Sequence, residues 1–227
     1  MNKDIKGIPE RILKLAIAAL TQANTHAVYM DPGTEHWYTM SVLNAAHAGE
    51  LFLKAIIARE HPLLIFKDIF SLDDNRSLKL DVADLLKRGR THEFEKLPQV
   101  LWATTGIRLP NRQCYDRLRE ARNAIQHFCA PEDMHLSNLA LEFIYTIVDP
   151  LIQKHFGLYA IEHHEDWSAG YDYVVGRLLR AGLRFSMPKD FNVTEIDMAK
   201  EIGRAKPDYR KWLLGELKKI KKEKLLN

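Results

Sequence analysis

The sequence predicts an all-α protein, and three observations favour this class. Apolar residues recur at three- and four-residue spacing along most of the 227-residue chain. Gly and Pro stand near the ends of these periodic segments, where they favour the start or the end of a helix. Apolar residues make up 46% of the chain, enough to build a sizeable core. We therefore expect a helical bundle followed by a C-terminal, mostly helical extension.

Two long helices are predicted in the first sixty residues. Pro9 suits a first helical turn, and residues 9–29 repeat apolar positions on one face. MDPGT, residues 30–34, is typical of a turn. A second helix then runs to about Arg59. SLDDNRS, residues 71–77, is typical of a loop, so we expect the helical pattern to break there.

Shorter helices are predicted in the middle of the chain. DVADLLKR, residues 81–88, has the pattern of a short helix. Residues 93–105 form another, which Pro98 should kink or shorten because proline lacks an N–H group. Asn111 can then cap a helix that runs to about Phe128, since an Asn side chain can accept a hydrogen bond from the first turn.

The last third of the chain is less uniform. Residues 134–155 form a helix, interrupted at Asp149-Pro150 and closed by Gly157. YDYVVGRLLRAGLRF, residues 171–185, remains ambiguous. Its valines beside aromatic residues favour a strand pair, whereas RLLRAGLR favours a helix.

Charge is concentrated at the C-terminal end. Residues 200–227 hold ten Lys or Arg and four Asp or Glu, a balance of +6 against −3 for the rest. Leu213, Leu217 and Ile220 fall on one side of this segment, so it is an amphipathic helix. The lysines either serve solubility on a solvated face or attract a polyanion.

Several classes of protein are disfavoured by what the sequence lacks. No apolar run reaches the roughly 18 residues needed to cross a bilayer. The N-terminal residues MNKDIKGIPER carry acidic groups and no apolar signal-peptide segment. We expect a cytoplasmic protein with no membrane partner. Two cysteines make no disulfide framework, and no Gly-rich loop favours an NTPase.

A polar stripe on the helix after Asn111 is the strongest functional candidate. REARNAIQHF, residues 119–128, contains the pattern Arg122-Asn123-x-x-x-His127. The polar stripe comprises Asp116, Arg119, Arg122, Asn123, Gln126 and His127. Cys114, Leu118, Ala121, Ile125 and Phe128 fall on the opposite side. Arg122 and His127 lie roughly 140° apart around the axis and flank the stripe. Viewed alone, such a stripe is first interpreted as a solvated helix face.

A second motif lies earlier in the chain. NAAHAGELFLKA, residues 44–55, places Glu50 and Lys54 four residues apart inside an otherwise apolar helix. Together the two motifs resemble the HEPN superfamily (higher eukaryotes and prokaryotes nucleotide-binding domains). The resemblance is strongest over residues 35–156. It divides the chain into a HEPN-like helical bundle, residues 1–157, and a C-terminal extension with the basic tail, residues 158–227.

The resemblance implies a metal-independent endoribonuclease without cofactor, of the kind that serves as a toxin or antiviral defence effector. Arg122 and His127 would be its catalytic pair, with Asn123 as polar support. Its RNA would be cut by attack of the 2′-OH, leaving a 2′,3′-cyclic phosphate. HEPN proteins usually form homodimers that bring two such stripes together, and an antitoxin or regulatory protein is a further partner.

Supporting roles follow for the neighbouring polar residues. Glu50 and Lys54 would assist the catalytic pair, although an i,i+4 ion pair is more often structural. Arg119, Gln126 and Asp116 would contact RNA or simply face water. Many HEPN-like bundles instead bind a nucleic acid, nucleotide or protein without cleaving it, so an adaptor is the alternative function. A helical interaction protein that matches by chance is a third.

One histidine-rich stretch has the residue types of a metal site. His163 and His164 adjoin the acidic residues Glu162, Glu165 and Asp166. Adjacent residues on a helix or strand point in different directions, however, so this spacing does not suit a common ligand. We expect no metal site.

Overall fold

The computed structural model describes residues 3–29, 33–34, 36–68, 82–131, 134–166, 168, 170–203 and 205–226. These residues are mostly helical, with no β-sheet among them, so the all-α prediction is confirmed. Most of the predicted turn at residues 30–34 and all of the predicted loop at residues 71–77 lie outside the described residues. No helix in the described ranges is both long and apolar enough to cross a membrane.

The described ranges contain the following α-helices, in chain order. They are α1 (Lys3–Lys6), α2 (Ile8–Val28), α3 (His36–Glu60), α4 (Val82–Arg88), α5 (Leu97–Thr105), α6 (Arg112–His127), α7 (Leu136–Phe143), α8 (Asp149–Phe156), α9 (Asp172–Ala181), α10 (Met198–Glu201) and α11 (Pro207–Lys219). The bounds of α2, α3, α4 and α6 agree with the predicted segments to within about two residues, the usual uncertainty at helix ends.

Two prolines act at helix starts. Pro98 lies in the first turn of α5, which begins after a 3₁₀ turn at Phe94–Lys96. A first-turn proline needs no N–H partner, so Pro98 shortens the predicted helix instead of kinking it. Pro150 occupies the same position in α8, which follows a π-helical turn at Ile144–Val148. The chain thus stays helical through the predicted interruption.

The ambiguous segment at residues 171–185 is the helix α9, and the strand alternative is wrong. Val174 and Val175 are fully buried, which explains why an apolar pair resembling a strand is tolerated in a helix. Asp172 in the first turn ties α9 to a distant segment. Its Oδ1 accepts hydrogen bonds from the backbone N–H groups of Thr194, at 2.7 Å, and Glu195, at 2.6 Å.

The chain divides into two compact units. Unit 1 comprises Met1–Ile17 and Ala48–Leu109, and unit 2 comprises Ala18–His47 and Pro110–Asn227. Unit 2 therefore includes residues on both sides of the predicted domain boundary at residue 157. That boundary describes where the family resemblance ends, and it stays a prediction.

Each unit has its own buried apolar residues. In unit 1 the largest are Phe52, Leu53, Ile57, Leu97 and Leu101. In unit 2 they are Leu20, Tyr115, Leu118, Leu141, Phe143, Ile144 and Phe191. The basic tail contributes to unit 2, because Leu213 and Leu217 of α11 are fully buried while Lys218 and Lys219 are exposed. The tail is thus amphipathic, as predicted, and is anchored by its apolar side.

Candidate functional site

Helix α6 begins with a side-chain cap. The Oδ1 of Asn111 accepts a hydrogen bond from the N–H of Cys114 at 3.0 Å, which confirms the predicted cap. The amide nitrogen of the same side chain donates to Thr146 Oγ1 at 3.3 Å. One residue therefore starts α6 and fixes it to the π-helical turn that follows α7.

The inner face of α6 is fixed against α7. Its buried residues are Cys114, Tyr115, Leu118 and Ala121. The ring of Tyr115 lies 5.9 Å from that of Phe143, centroid to centroid. At the margin of the same face, Arg117 Nη2 forms an ion pair with Glu142 Oε2 at 2.6 Å. Packing, an ion pair and the Asn111 bond therefore give α6 a fixed position on α7.

The outer face of α6 carries the predicted polar stripe. Asn123, Gln126 and His127 are exposed, and Arg122 is half-buried. Asn123 and His127 are one turn apart, so their side chains are neighbours, with about 5–6 Å between Cβ atoms. A histidine can take or give a proton near neutral pH, and a guanidinium can hold a phosphate through two N–H groups. The stripe therefore carries one type of group that can bind a phosphate and another that can move a proton.

Asp116 and Arg119 extend the stripe towards the start of α6. Asp116 Oδ2 accepts from Arg112 Nε at 2.9 Å, and its Oδ1 lies 3.9 Å from Arg119 Nε. Arg119 Nη2 also lies 4.0 Å from Glu120 Oε1. These partly exposed pairs contribute little stability each. They hold a carboxylate between two guanidinium groups, which suits positioning more than direct contact with an anion.

Phe128 corrects the predicted pattern. The periodicity placed it on the apolar face, but its side chain is 93% exposed. The helix ends at His127, and Phe128 has φ −146° and ψ −88°, outside helical values. Because the helical turn does not continue, Phe128 no longer follows the face set by Leu118 and Ala121. A large apolar ring is thus presented to solvent directly beside His127.

Glu50 and Lys54 form the predicted i,i+4 pair, in unit 1. Lys54 is only 7% exposed, and its Nζ donates to Glu50 Oε1 at 2.6 Å and to Thr91 Oγ1 at 2.9 Å. These bonds offset the cost of taking an ammonium group out of water. Lys54 also lines a mainly apolar cavity of about 320 Å³. Arg122 and His127 belong to unit 2, so the supporting role of this pair stays a prediction.

The histidine-rich stretch lies inside unit 2. His164 is buried, and its Nδ1 lies 3.4 Å from the hydroxyl of Tyr29. The backbone carbonyl of His163 accepts a hydrogen bond from Asn24, and burial lowers the pKa of the His163 ring below its ordinary value. Within the described parts of the chain, no three His, Cys, Asp or Glu side chains cluster as a metal site.

One candidate was missed by the sequence reasoning. A cavity of about 600 Å³ lies at the start of α7. It is lined by Val28, Tyr38, Met134, His135, Leu136, Ser137, Asn138, Arg177 and Arg180. The spacing of Arg177 and Arg180 puts both on one face of a helix, but the helix itself was ambiguous from the sequence. The sequence therefore showed the spacing of the two arginines, but it did not show which element of the fold would face them.

No family model, curated protein or solved structure matches the chain. The resemblance to HEPN proteins therefore rests on the two motifs alone.

Proposed function

We propose that the protein is a metal-independent endoribonuclease in which Arg122 and His127 form the catalytic pair. The observation that carries the proposal is the contrast between the two faces of α6. Its inner face is buried and fixed to α7, while Asn123 and His127 are open to solvent and Arg122 is partly open. A fixed helix that presents a proton carrier and a phosphate binder meets the requirement for preorganised catalysis.

RNA supplies its own nucleophile, so the protein needs few groups. The 2′-oxygen attacks phosphorus, the bond to the 5′-oxygen breaks, and the products are a 2′,3′-cyclic phosphate and a 5′-hydroxyl. One proton leaves the 2′-oxygen and another is delivered to the 5′-oxygen. His127 moves one of these protons. Arg122 holds the phosphate and stabilises the charge that develops on its oxygens. Asn123 supports His127 from the preceding turn.

A homodimer completes the site in this proposal. One α6 offers a single histidine, whereas the reaction transfers two protons on opposite sides of phosphorus. A two-fold axis beside His127 would supply the second histidine from another copy. The exposed ring of Phe128 lies next to His127 and supports an interface there. Sedimentation should give about twice the 26.3 kDa chain mass, and Phe128→Ser should shift the mass towards that of a single chain.

The central experiment measures cleavage of single-stranded and structured RNA by purified protein. His127→Ala should lower the rate by about 10²–10⁴ through lost proton transfer. Arg122→Ala should lower it by about 10²–10³, by analogy with losing one preorganised donor. The two losses should not add, because both groups act on one transition state. EDTA should leave the rate unchanged, and the cut ends should carry cyclic phosphate.

Arg112→Ala is the matched control, since Arg112 lies on the same helix, is exposed and is paired with Asp116. This variant should cut at nearly the wild-type rate. A wild-type protein that cuts no RNA, or a folded His127→Ala variant that cuts as fast as wild type, would refute the nuclease. The non-catalytic binding protein for a nucleic acid, nucleotide or protein would then take its place.

A role as a toxin or antiviral effector follows from the same activity. Expression of the wild-type chain in a bacterial host should slow growth, and His127→Ala should relieve the effect. Equal toxicity of both chains would separate growth inhibition from RNA cleavage. A cytoplasmic location fits this role, since the RNA targets of such an effector lie in the cytoplasm.

A further inference from the structure

We propose that the start of α7 and the facing side of α9 form a phosphate-binding site for a nucleotide unit of RNA beside the one cut at Arg122 and His127. The naming of RNA as the source of the phosphate rests on the proposed function. The phosphate site itself rests on three features of unit 2. They are the open first turn of α7, the side chain of Ser137, and the two guanidinium groups of α9.

The first turn of α7 offers free backbone donors. The first intrahelical hydrogen bond runs from Leu139 N–H to the carbonyl of His135, at 3.0 Å. The N–H groups of residues 136–138 therefore have no acceptor within the helix. The side chain of His135 makes no cap bond, and no described residue supplies another acceptor. Open donors at a positive helix end favour an anion.

Ser137 is the independent observation that points to a ligand. Its side chain is polar, only 7% exposed, and lines the cavity of about 600 Å³ at this helix start. Its hydroxyl makes no hydrogen bond to any part of the chain that the structure describes. Because the Ser137 oxygen is not among the buried atoms without a partner, it is open to the cavity and can donate a hydrogen bond to a ligand oxygen there.

Two arginines of α9 complete the donor set. Arg177 Nη2 donates to the side-chain oxygen of Asn138 at 2.7 Å, so a neutral group holds this guanidinium over the first turn of α7. Arg180 Nη1 is paired with Glu201 Oε1 at 2.9 Å. Each guanidinium has five N–H donors, so neither is exhausted by one bond. The charge of Arg177 is not balanced by its partner, which favours an anion.

The cavity has room for more than a phosphate. Val28, Tyr38 and Leu136 give it an apolar side. The combination of an anion-binding end and an apolar side with an aromatic ring suits a sugar and base attached to the phosphate. Glu132 and Asp133 precede the site in the sequence and lie outside the described residues.

The register of α6 on α7 brings the cavity level with the catalytic pair. Asn111 bonds to Thr146, and further along Arg117 pairs with Glu142, so the two helices run antiparallel. Arg122 lies five residues beyond Arg117, and Ser137 lies five residues before Glu142, so this register brings Arg122 level with the first turn of α7. An RNA strand held at Arg122 would therefore pass the open first turn of α7, where its neighbouring phosphate can bind.

The test separates phosphate binding from RNA cleavage by using the folded, full-length His127→Ala protein throughout. Backbone amide signals of residues 136–138 are followed by NMR during titration with inorganic phosphate, adenosine 5′-monophosphate and adenosine. We expect the first two to shift these signals and adenosine to leave them unchanged. Absence of a shift with both phosphate compounds would overturn the site, whether or not the wild-type protein cuts RNA.

Variants then identify the donors and the source of the phosphate. Arg177→Gln and Ser137→Ala should each weaken binding of adenosine 5′-monophosphate by about tenfold. Arg184 is exposed beside Trp212 and lies outside the cavity, so Arg184→Gln should leave this binding unchanged. Unchanged binding by both cavity variants would contradict the proposal.

A labelled single-stranded RNA gives the second arm. Arg177→Gln should weaken its binding by about tenfold and reduce the salt slope by about one, as expected for one lost phosphate contact. If Arg177→Gln loses nucleotide binding but keeps RNA binding, the assignment to RNA is overturned and the cavity is a site for a free nucleotide. A wild-type protein that binds at residues 136–138 but never cuts RNA would refute the nuclease alone.

Discussion

Unit 2 contains two polar clusters that differ in burial and in hydrogen bonding. The first surrounds Asn24, which is fully buried. Its Nδ2 donates to the carbonyl oxygens of Ala160, at 2.8 Å, and His163, at 2.9 Å. Its Oδ1 accepts from the hydroxyl of Tyr145 at 3.2 Å. The second cluster is the outer face of α6, where Asn123 and His127 face solvent.

Asp149 belongs to the buried cluster. It is 1% exposed, and its two oxygens accept from the N–H groups of Ala160, at 2.9 Å, and Ser186, at 2.6 Å. Burial raises the pKa of its carboxyl from 3.8 to about 6, although both hydrogen bonds oppose that shift. The residue types Asn, Asp and Tyr would suit catalysis, but the side chains of Asn24, Tyr145 and Asp149 are hydrogen-bonded within the chain.

The comparison teaches that residue type alone does not identify a site. Asn24 bonds to a residue more than 100 positions away in sequence, and Asp149 bonds to one more than 10 positions away. Both side chains therefore help to determine how unit 2 folds. Asn123 and His127 project from a helix that is already fixed by its other face. Their side chains are therefore open to solvent. The following variants test that difference, from the largest expected effect to the smallest.

Asp149→Ala should lower the free energy of unfolding by about 4 kcal/mol. Two buried N–H groups would lose their acceptor, at a cost of about 1–3 kcal/mol each. Urea denaturation followed by circular dichroism measures the change. Asp116→Ala, at a half-exposed position on α6, is the matched control and should cost less than about 1 kcal/mol. Equal losses in both variants would remove the distinction between the clusters.

The pH dependence of stability should also distinguish Asp149. Its folded-state pKa, about 6, lies above its ordinary value of 3.8, so the folded protein holds this proton more tightly. The stabilisation is complete below about pH 4 and is lost as the pH rises through about 6. It amounts to about 3 kcal/mol, from 1.36 kcal/mol per pKa unit.

The measurement compares wild type with Asp149→Asn by urea denaturation between pH 4 and pH 7. The Asp149→Asn protein should be less stable than wild type, because the NH₂ group of the new side chain cannot accept a hydrogen bond. That side chain does not titrate between pH 4 and pH 7. The difference in stability between the two proteins should therefore shrink as the pH rises. A constant difference across this range would show that Asp149 is already ionised in the folded protein at pH 4.

Arg122→Ala and His127→Ala should change stability least, each within about 1 kcal/mol. Neither substitution leaves a core cavity, because both side chains lie on the outer face of α6. For a chain of this size the melting temperature should move by no more than about 4 °C. Differential scanning calorimetry provides the value. A much larger drop would mean that these residues hold the fold, and any loss of activity would then report unfolding.

Much of the local structure was predictable because its causes are local. Asn111 caps α6 through a residue three positions away, and Gly157 ends α8 with φ 68°, which glycine adopts without strain. The amphipathic pattern of α6 likewise predicted which side would be buried. Phe128 was misplaced because periodicity cannot say at which residue a helix stops.

The sequence by itself determined the all-α class, most helix bounds and the two faces of α6, since spacing and capping act over a few residues. Tertiary structure decided which polar residues are structural. Asn24 finds its acceptors 136 and 139 residues away, and Lys54 finds Thr91 37 residues away. It also assembled the cavity at Ser137 from residues of separate helices. Burial and partner choice depend on contacts between distant segments, which no short-range pattern contains.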